Sequence, residues 1–343
     1  MPANIQLVLP GLFDLPLSEL SPRLLSEQLP ALNRILRLAN TRANSAFTID
    51  AMLRQLLALD SSAAETASSL PLAQAYAAPE RRKSNRQLLF RAVHLRPDLH
   101  NAIIVPISHD REDLHDIIIL INDLYDIFNV DCDISAIDEG MFLMDLKAFE
   151  APAHYPHILS VLGKPANPYI EQSRQHLQWY KLLNEMQMFL HAHDLNRDRE
   201  RRGRLAINSL WFWGGGRVPD NVDSRLAWYC DDPVLSRFAT SLGLTTASLE
   251  QLSEPVDAAA VAVVDLRLLE LLKSGVATDF GDLLLDIEHS LLQPLLKAID
   301  RERKDLRLRL GHDSDLQMTP VSALKFWRRP RSLADWPSAI DNG

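Results

Sequence analysis

The chain has 343 residues, 47% of them hydrophobic and 24% charged, with a formal net charge of -9. That composition belongs to a packed globular protein with enough apolar material for a sizeable core. Its negative balance excludes a general electrostatic attraction to nucleic acid or to an anionic membrane surface.

Residues 5–9 form a short apolar run ended by Pro10 and Gly11, the pattern of a buried strand entering a turn. This start carries no basic segment, and the runs at 102–107 and 117–121 are too short to span a bilayer, so a cytoplasmic protein without a membrane partner is expected. A helical pattern follows in Leu29, Leu32, Ile35, Leu36 and Ala39. Residues 60–85, rich in Ser and Ala and closed by Arg81, Arg82 and Lys83, read as a connection holding one short helix.

From about 88 to 162 the chain is strand-rich, with candidates at 88–95, 102–107, 130–137 and 141–146 and a helix over 113–128. This reads as a compact α+β insertion. Residues 171–193 are the most regular helix, with Trp179, Leu183, Met186 and Leu190 in one stripe. A strand over 206–213 runs into Gly214, Gly215 and Gly216, another covers 261–266, and Asp279 suits the N-cap of the next helix. Leu306, Leu308 and Leu310 alternate with Arg307 and Arg309, the pattern of a half-buried edge strand. Cys132 and Cys230 stand in no CxxC or Cys/His spacing, so buried free thiols are expected and no zinc or redox motif is read.

Four constellations could carry chemistry. A strand ending in three glycines and Arg217 can offer backbone N–H groups to an anion, or be a tight surface turn. On the long helix Asn184, Gln187 and His191 share a face, whereas His191 and His193 diverge and cannot chelate one metal; His193, Asn196 and Arg199 suit a pocket or a buried polar network. The run Gly311, His312, Asp313, Ser314, Asp315 could hold a metal but also reads as a turn between strands. Residues 301–331 hold nine Lys/Arg against four Asp/Glu, with Phe326 and Trp327 adding aromatics, a mixture found on nucleic-acid surfaces and also on solvated faces.

In order, these motifs resemble the archaeal-type cofactor-independent phosphoglycerate mutases of the alkaline-phosphatase superfamily. The matching stretches are 7–14 against V-L-D-G-L-G-D, 29–36 against T-P-N-x-D-R-L-A, and, without a gap, His193, Asn196, Arg199, Gly203, Asn208 and residues 214–216. Residues 183–188 and 208–211 are similar to the RpfE-type regulatory proteins of proteobacteria. The resemblance implies an α/β fold with a mostly parallel sheet flanked by helices, alkaline-phosphatase-like, and an inserted α+β cap lobe. The core would be 1–87 with 166–330, the lobe 88–165 and the tail 331–343. The strands at 5–9, 206–213, 261–266 and 306–310 would then share one sheet.

The departures imply lost catalysis. Pro10 stands where the mutase family places its first metal-binding Asp, and Asp265 is followed by Leu266 and Arg267 instead of the E-A-G-H that completes the family's segment. Trp213 replaces an Arg, and G-D-H-S-T-P is reduced to Gly311, His312, Asp313, Ser314. The expectation is therefore a catalytically degenerate regulatory module with no catalytic residues, no bound metal and no cofactor, taking a small anionic ligand or a protein partner. The ligand set would be His193, Asn196, Arg199, Asn208, Gly214, Gly215, Gly216 and Arg217. The alternatives are an active metal-dependent mutase or phosphomonoesterase with a rearranged site, and a nucleic-acid-associated protein using the basic tract.

Overall fold

A computed structural model describes residues 4–44, 48–57, 69–77, 84–170, 174–218, 222, 225–253, 260–274, 280–302, 304–311, 314–323, 325, 327–329 and 331–335. The chain divides into two compact units, one made of Met1–Leu59, Asn221–Leu272 and Val276–Gly343, the other of Asp60–Asp220 with Lys273–Gly275. In chain order the strands are β1 Asn4–Val8, β2 Asn40–Ala43, β3 Gln87–Pro97, β4 Ala102–Pro106, β5 Cys132–Asp138, β6 Met141–Leu146, β7 Ser209–Trp213, β8 Leu226–Cys230, β9 Thr245–Ala247, β10 Ala260–Val264, β11 Leu306–Arg309 and β12 Ser314–Met318.

The first unit is built on a seven-stranded sheet in the order β2-β12-β11-β1-β10-β8-β9. β11, β1, β10, β8 and β9 run parallel, and β12 and β2 add antiparallel pairs at one side. The protein is thus α/β, with a mixed, mostly parallel sheet flanked by helices. Leu7 stands opposite Val263 on one neighbour and Leu308 on the other, and all three are fully buried. Strands covered on both faces read as near-continuous apolar runs, as LAWYC of β8 and AVAVV of β10 do.

The helix Pro30–Leu38 turns Leu32, Ile35 and Leu36 into this core, and Leu284, Ile287, Leu291 and Leu295 meet them from the helical stretch 280–302. Each fully buried leucine there contributes roughly 2 kcal/mol relative to exposure.

The second unit holds a five-stranded antiparallel sheet in the order β4-β3-β6-β5, with β7 also paired to β3. The eleven-residue β3 pairs with β6 along 87–91, with β7 along 89–93 and with β4 along 93–97. The helices Arg111–Phe128, Leu177–Ala192 and Asp194–Arg201 belong to the same unit. Asp110 caps the first of them, accepting hydrogen bonds from Glu112 N and Asp113 N.

Two expectations need correcting. The strand at 206–213 does not join the other three: it begins at Ser209 and pairs antiparallel with β3 in the second sheet. An apolar run gives no sign of its partner's direction, and here aromatic packing supplies it, with Phe212 at 5.3 Å from Phe90 and 4.8 Å from Trp179 between ring centroids. β11 is not an edge strand, because β12 covers its outer side. The residues expected as the lobe, 88–165, all fall within the second unit.

The N-cap expected at Asp279 lies outside the described residues, as do residues 60–68 and 78–83 of the connection, whose described part contains the 3-10 turn Leu72–Ala75. Both cysteines are buried and free, and burial pushes the Cys132 thiol up to about 12. Among the described residues no helix is long and apolar enough to cross a membrane.

Candidate functional site

In open parallel sheets the carboxyl ends of the strands are where ligands bind. In the first unit this edge carries Pro10 after β1, Asp265 after β10 and Gly311 after β11. Pro10 is buried, and a Cβ placed on Gly311 would lie 3.6 Å from its Cβ and 3.4 Å from Met52 Cε. The space at this point is apolar and filled.

Asp265 is 2% exposed and fixed beside β1 by its own N–H, which donates to Val8 O at 3.0 Å. Arg267 closes both of its oxygens: Oδ1 accepts from Arg267 N and Nε at 3.0 Å each, and Oδ2 accepts from Nη2 at 2.8 Å. The same guanidinium donates from Nη1 to Asp286 at 2.6 Å. Hydrogen bonding to Asp265 holds the Arg267 pKa above its ordinary value.

A divalent ion needs deprotonated oxygen or imidazole donors at short range. Pro10 has no side-chain donor, and Asp265 spends its charge on a neighbouring cation. Among the described residues no three His, Cys, Asp or Glu side chains gather into a metal set. His312 and Asp313 lie outside the described residues. The described side chains do not fit a two-metal phosphoryl-transfer centre.

The expected ligand set runs from a helix end, His193, past β7 to the glycine turn in the second unit, and its members other than Arg217 are engaged by their own chain. His193 caps the helix Asp194–Arg201, its Nδ1 accepting from Leu195 N while Nε2 lies 3.1 Å from Asp123 Oδ2. Asn196 donates to Leu190 O and Ile207 O and accepts from Ile207 N, joining the helix to the segment that leads into β7. Asn208 brackets Leu95, accepting from its N–H and donating to its carbonyl.

Arg199 is 1% exposed. Its Nη1 donates to Asp116 at 2.6 Å, Nη2 to Asp113 at 2.7 Å and Nε to Leu205 O at 2.8 Å. An anion could reach it only by displacing two buried carboxylates.

The glycine turn is likewise packed inward. Gly214 (φ 74°) and Gly216 (φ 127°) adopt backbone conformations that other residues rarely take. A Cβ on Gly215 would come within 2.8 Å of Leu88 Cδ2. Gly216 N donates to Asn85 Oδ1, Gly215 O accepts from Ser69 Oγ, and Gly216 O accepts from Gln74 Nε2. Arg217 is exposed.

The basic tract is also partly turned inward. Arg307 and Arg309 face Asp315, and Arg328 donates to Leu38 O and Ala39 O at the end of the helix Pro30–Leu38. Trp327 is exposed, and Phe326 lies outside the described residues.

Sequence reading missed Asp113, Asp116, Glu288 and Asp315 as buried charges. Asp113 and Asp116 stand three apart, so they share one helix face, and this was the signal that could have marked the first pair.

No protein-family model and no curated protein matches the chain. Among solved structures it is similar to the PH0037 protein from Pyrococcus horikoshii, at 14% identity over 93% of this chain and 88% of that one, with a TM-score of 0.48. It is also similar to a cofactor-independent phosphoglycerate mutase from Thermoplasma acidophilum DSM 1728, at 17% identity over 92% of this chain and 89% of that one, with a TM-score of 0.41.

Proposed function

We propose that the chain is a catalytically degenerate, phosphoglycerate-mutase-like protein of alkaline-phosphatase-like descent with a cap lobe, acting as a ligand-sensing or protein-binding regulatory module of the RpfE type. The observation that carries this reading is the closure of Asp265 by Arg267. A carboxylate at the end of a central parallel strand is the natural ligand for a catalytic cation. Here a guanidinium two residues on occupies both oxygens, in geometry that a metal could not share. Pro10, buried at the end of the neighbouring strand, supports the same reading by removing the donor beside it.

Phosphoryl transfer of this kind depends on metal-generated nucleophiles and charge neutralisation. Without donors to hold two ions, the fold keeps its shape and loses its chemistry. An anionic ligand at the glycine turn would meet Arg217 first, since the other members of the expected set are committed to hydrogen bonds within the chain.

Elemental analysis of the purified protein together with a mutase assay in excess manganese tests the proposal. We expect no retained pair of divalent ions and no turnover. Two equivalents of bound metal, or turnover that disappears in Asp265→Asn, would promote the active-enzyme alternative instead.

A further inference from the structure

The strand pairing of β2, β12, β11 and β1 sorts their side chains into two faces. Leu306, Leu308, Leu316 and Met318 fall on the core side and are buried. The opposite side receives Arg307 across from Gln317 and Arg42 across from Asp315, with Arg309 and Gln6 continuing the patch. Of these six side chains three are cationic and one is anionic.

Asp315 is fully buried and already shared, accepting from Arg307 Nε at 2.9 Å and from Asn44 Nδ2 at 2.8 Å. Arg309 reaches it only at 3.6 Å.

Arg309 is therefore a buried cation, 2% exposed, without a carboxylate of its own. Its guanidinium hydrogen bonds run to two neutral amide oxygens, Gln55 Oε1 and Gln6 Oε1. Its Nε is buried with no hydrogen-bond partner. Desolvation, with repulsion from Arg307 and Arg42 added, pushes its pKa down to about 10. A buried N–H left unpaired is destabilising, and the shared Asp315 at 3.6 Å compensates the buried charge only in part. The core face of the same strands needs no arginine here. The patch also has a way in, since Arg42 is exposed on the edge strand and Arg307 is about a quarter exposed.

We propose that this face of the first unit is an oxyanion-binding site, with Arg309 at its back and Arg307 and Arg42 at its mouth. The ligand class is a small oxyanion, phosphate or carboxylate, because guanidinium N–H groups suit such oxygens, here the unpaired Nε–H of Arg309 with Arg307 and Arg42 beside it. The site uses neither the glycine turn nor Asp265, so it does not depend on the degenerate-mutase reading.

The test uses the full chain in a buffer free of phosphate, sulfate and carboxylates. Inorganic phosphate and citrate are titrated separately, with potassium chloride at matched ionic strength as reference, and thermal unfolding and calorimetric binding are read. Either anion should raise the unfolding midpoint beyond the chloride reference, since anything that binds only the folded state stabilises it. A response to phosphate alone assigns a phosphoryl ligand, and a response to citrate alone assigns a carboxylate ligand.

Arg42→Gln, at an exposed position that should leave the fold intact, should weaken binding about fivefold or more, one lost charge-assisted contact, and Arg307→Lys, which keeps a cation beside the buried Asp315, should weaken it similarly because the planar fork is lost. Arg309→Met should abolish it, and calorimetry on the mouth variants keeps the test decisive if that variant does not fold. No excess over chloride for either anion, or wild-type affinity in both mouth variants, overturns the proposal.

Discussion

Glu288 closes the N-terminus of the helix Pro30–Leu38 from 257 residues away, Oε1 accepting from Ala31 N at 2.7 Å and Oε2 from Leu32 N at 3.0 Å. Pro30 opens the helix and has no N–H, so these are its first two backbone donors. Arg328 sits at the other end on Leu38 O and Ala39 O. The helix thus has a carboxylate at its positive end and a guanidinium at its negative end, as its dipole favours.

Glu288→Ala should therefore cost about 3 kcal/mol, since these two charge-assisted bonds and a third from Gln293 Nε2 are lost together at a fully buried position. Arg328→Ala, at a half-exposed position, should cost only about 1 kcal/mol. Urea unfolding of the two variants beside the parent checks both values. Equal costs would mean that the buried carboxylate is not what secures this helix.

Arg199 carries a second prediction. Replacing it with Met leaves Asp113 and Asp116 buried and short of a counter-charge. Removing one partner of a buried pair costs about 3–5 kcal/mol. Arg202 still reaches Asp116 and Arg204 still reaches Asp113, which places the expected loss near the low end, at about 3 kcal/mol. Arg204→Gln loses half-exposed Asp110 and Glu112 as partners and leaves Asp113 still paired with Arg199, so it should cost much less than Arg199→Met. If the two variants unfold at the same urea concentration, the Arg199 clamp is not what holds the two helices together.

The parallel core was legible because its strands are short and apolar and are separated by helical patterns. Residues 5–9, 261–266 and 306–310 take neighbouring places in one sheet as expected. The antiparallel unit was legible as a group of strands, but β7 was not legible as one of its members. An all-apolar run such as LWFW satisfies either sheet, and its partner is settled by aromatic packing over a hundred residues away in sequence.

The arginines were hardest to read. Alternation of Arg307 and Arg309 with leucines looks the same on an edge strand and on an inner strand whose second face is polar. Only the pairing of β12 distinguishes the two. Likewise spacing groups His193, Asn196, Arg199 and Asn208, but it does not say whether polar groups face a ligand or the rest of the chain. The partners that settle the matter, Asp113, Asp116 and Leu95, lie about 80–115 residues earlier.

His157 gives a prediction that depends on pH. It is buried, its ring lies 5.6 Å from that of Trp213, and its Nδ1 accepts from Leu159 N at the start of the helix Ile158–Val161. Desolvation, helped by the nearby charge of Arg91, pushes its pKa down to about 3. In the unfolded chain the same imidazole titrates near 6.5. Between these values the unfolded state binds a proton that the folded state refuses. The stability that comes from keeping His157 neutral is therefore complete above about pH 6.5 and is lost progressively as the pH falls toward 3, by about 1.4 kcal/mol per pH unit. His157→Asn keeps a side-chain acceptor for the helix N-terminus but has nothing to titrate in this range. Denaturant unfolding of parent and variant at pH 6, 5 and 4 isolates the effect, because all other titrating groups are common to both. The parent should lose about 1.4 kcal/mol per unit more than the variant as the pH falls. Parallel pH profiles would mean that the folded protein takes up the His157 proton as readily as the unfolded chain does, and the account of a histidine kept neutral by burial would be wrong.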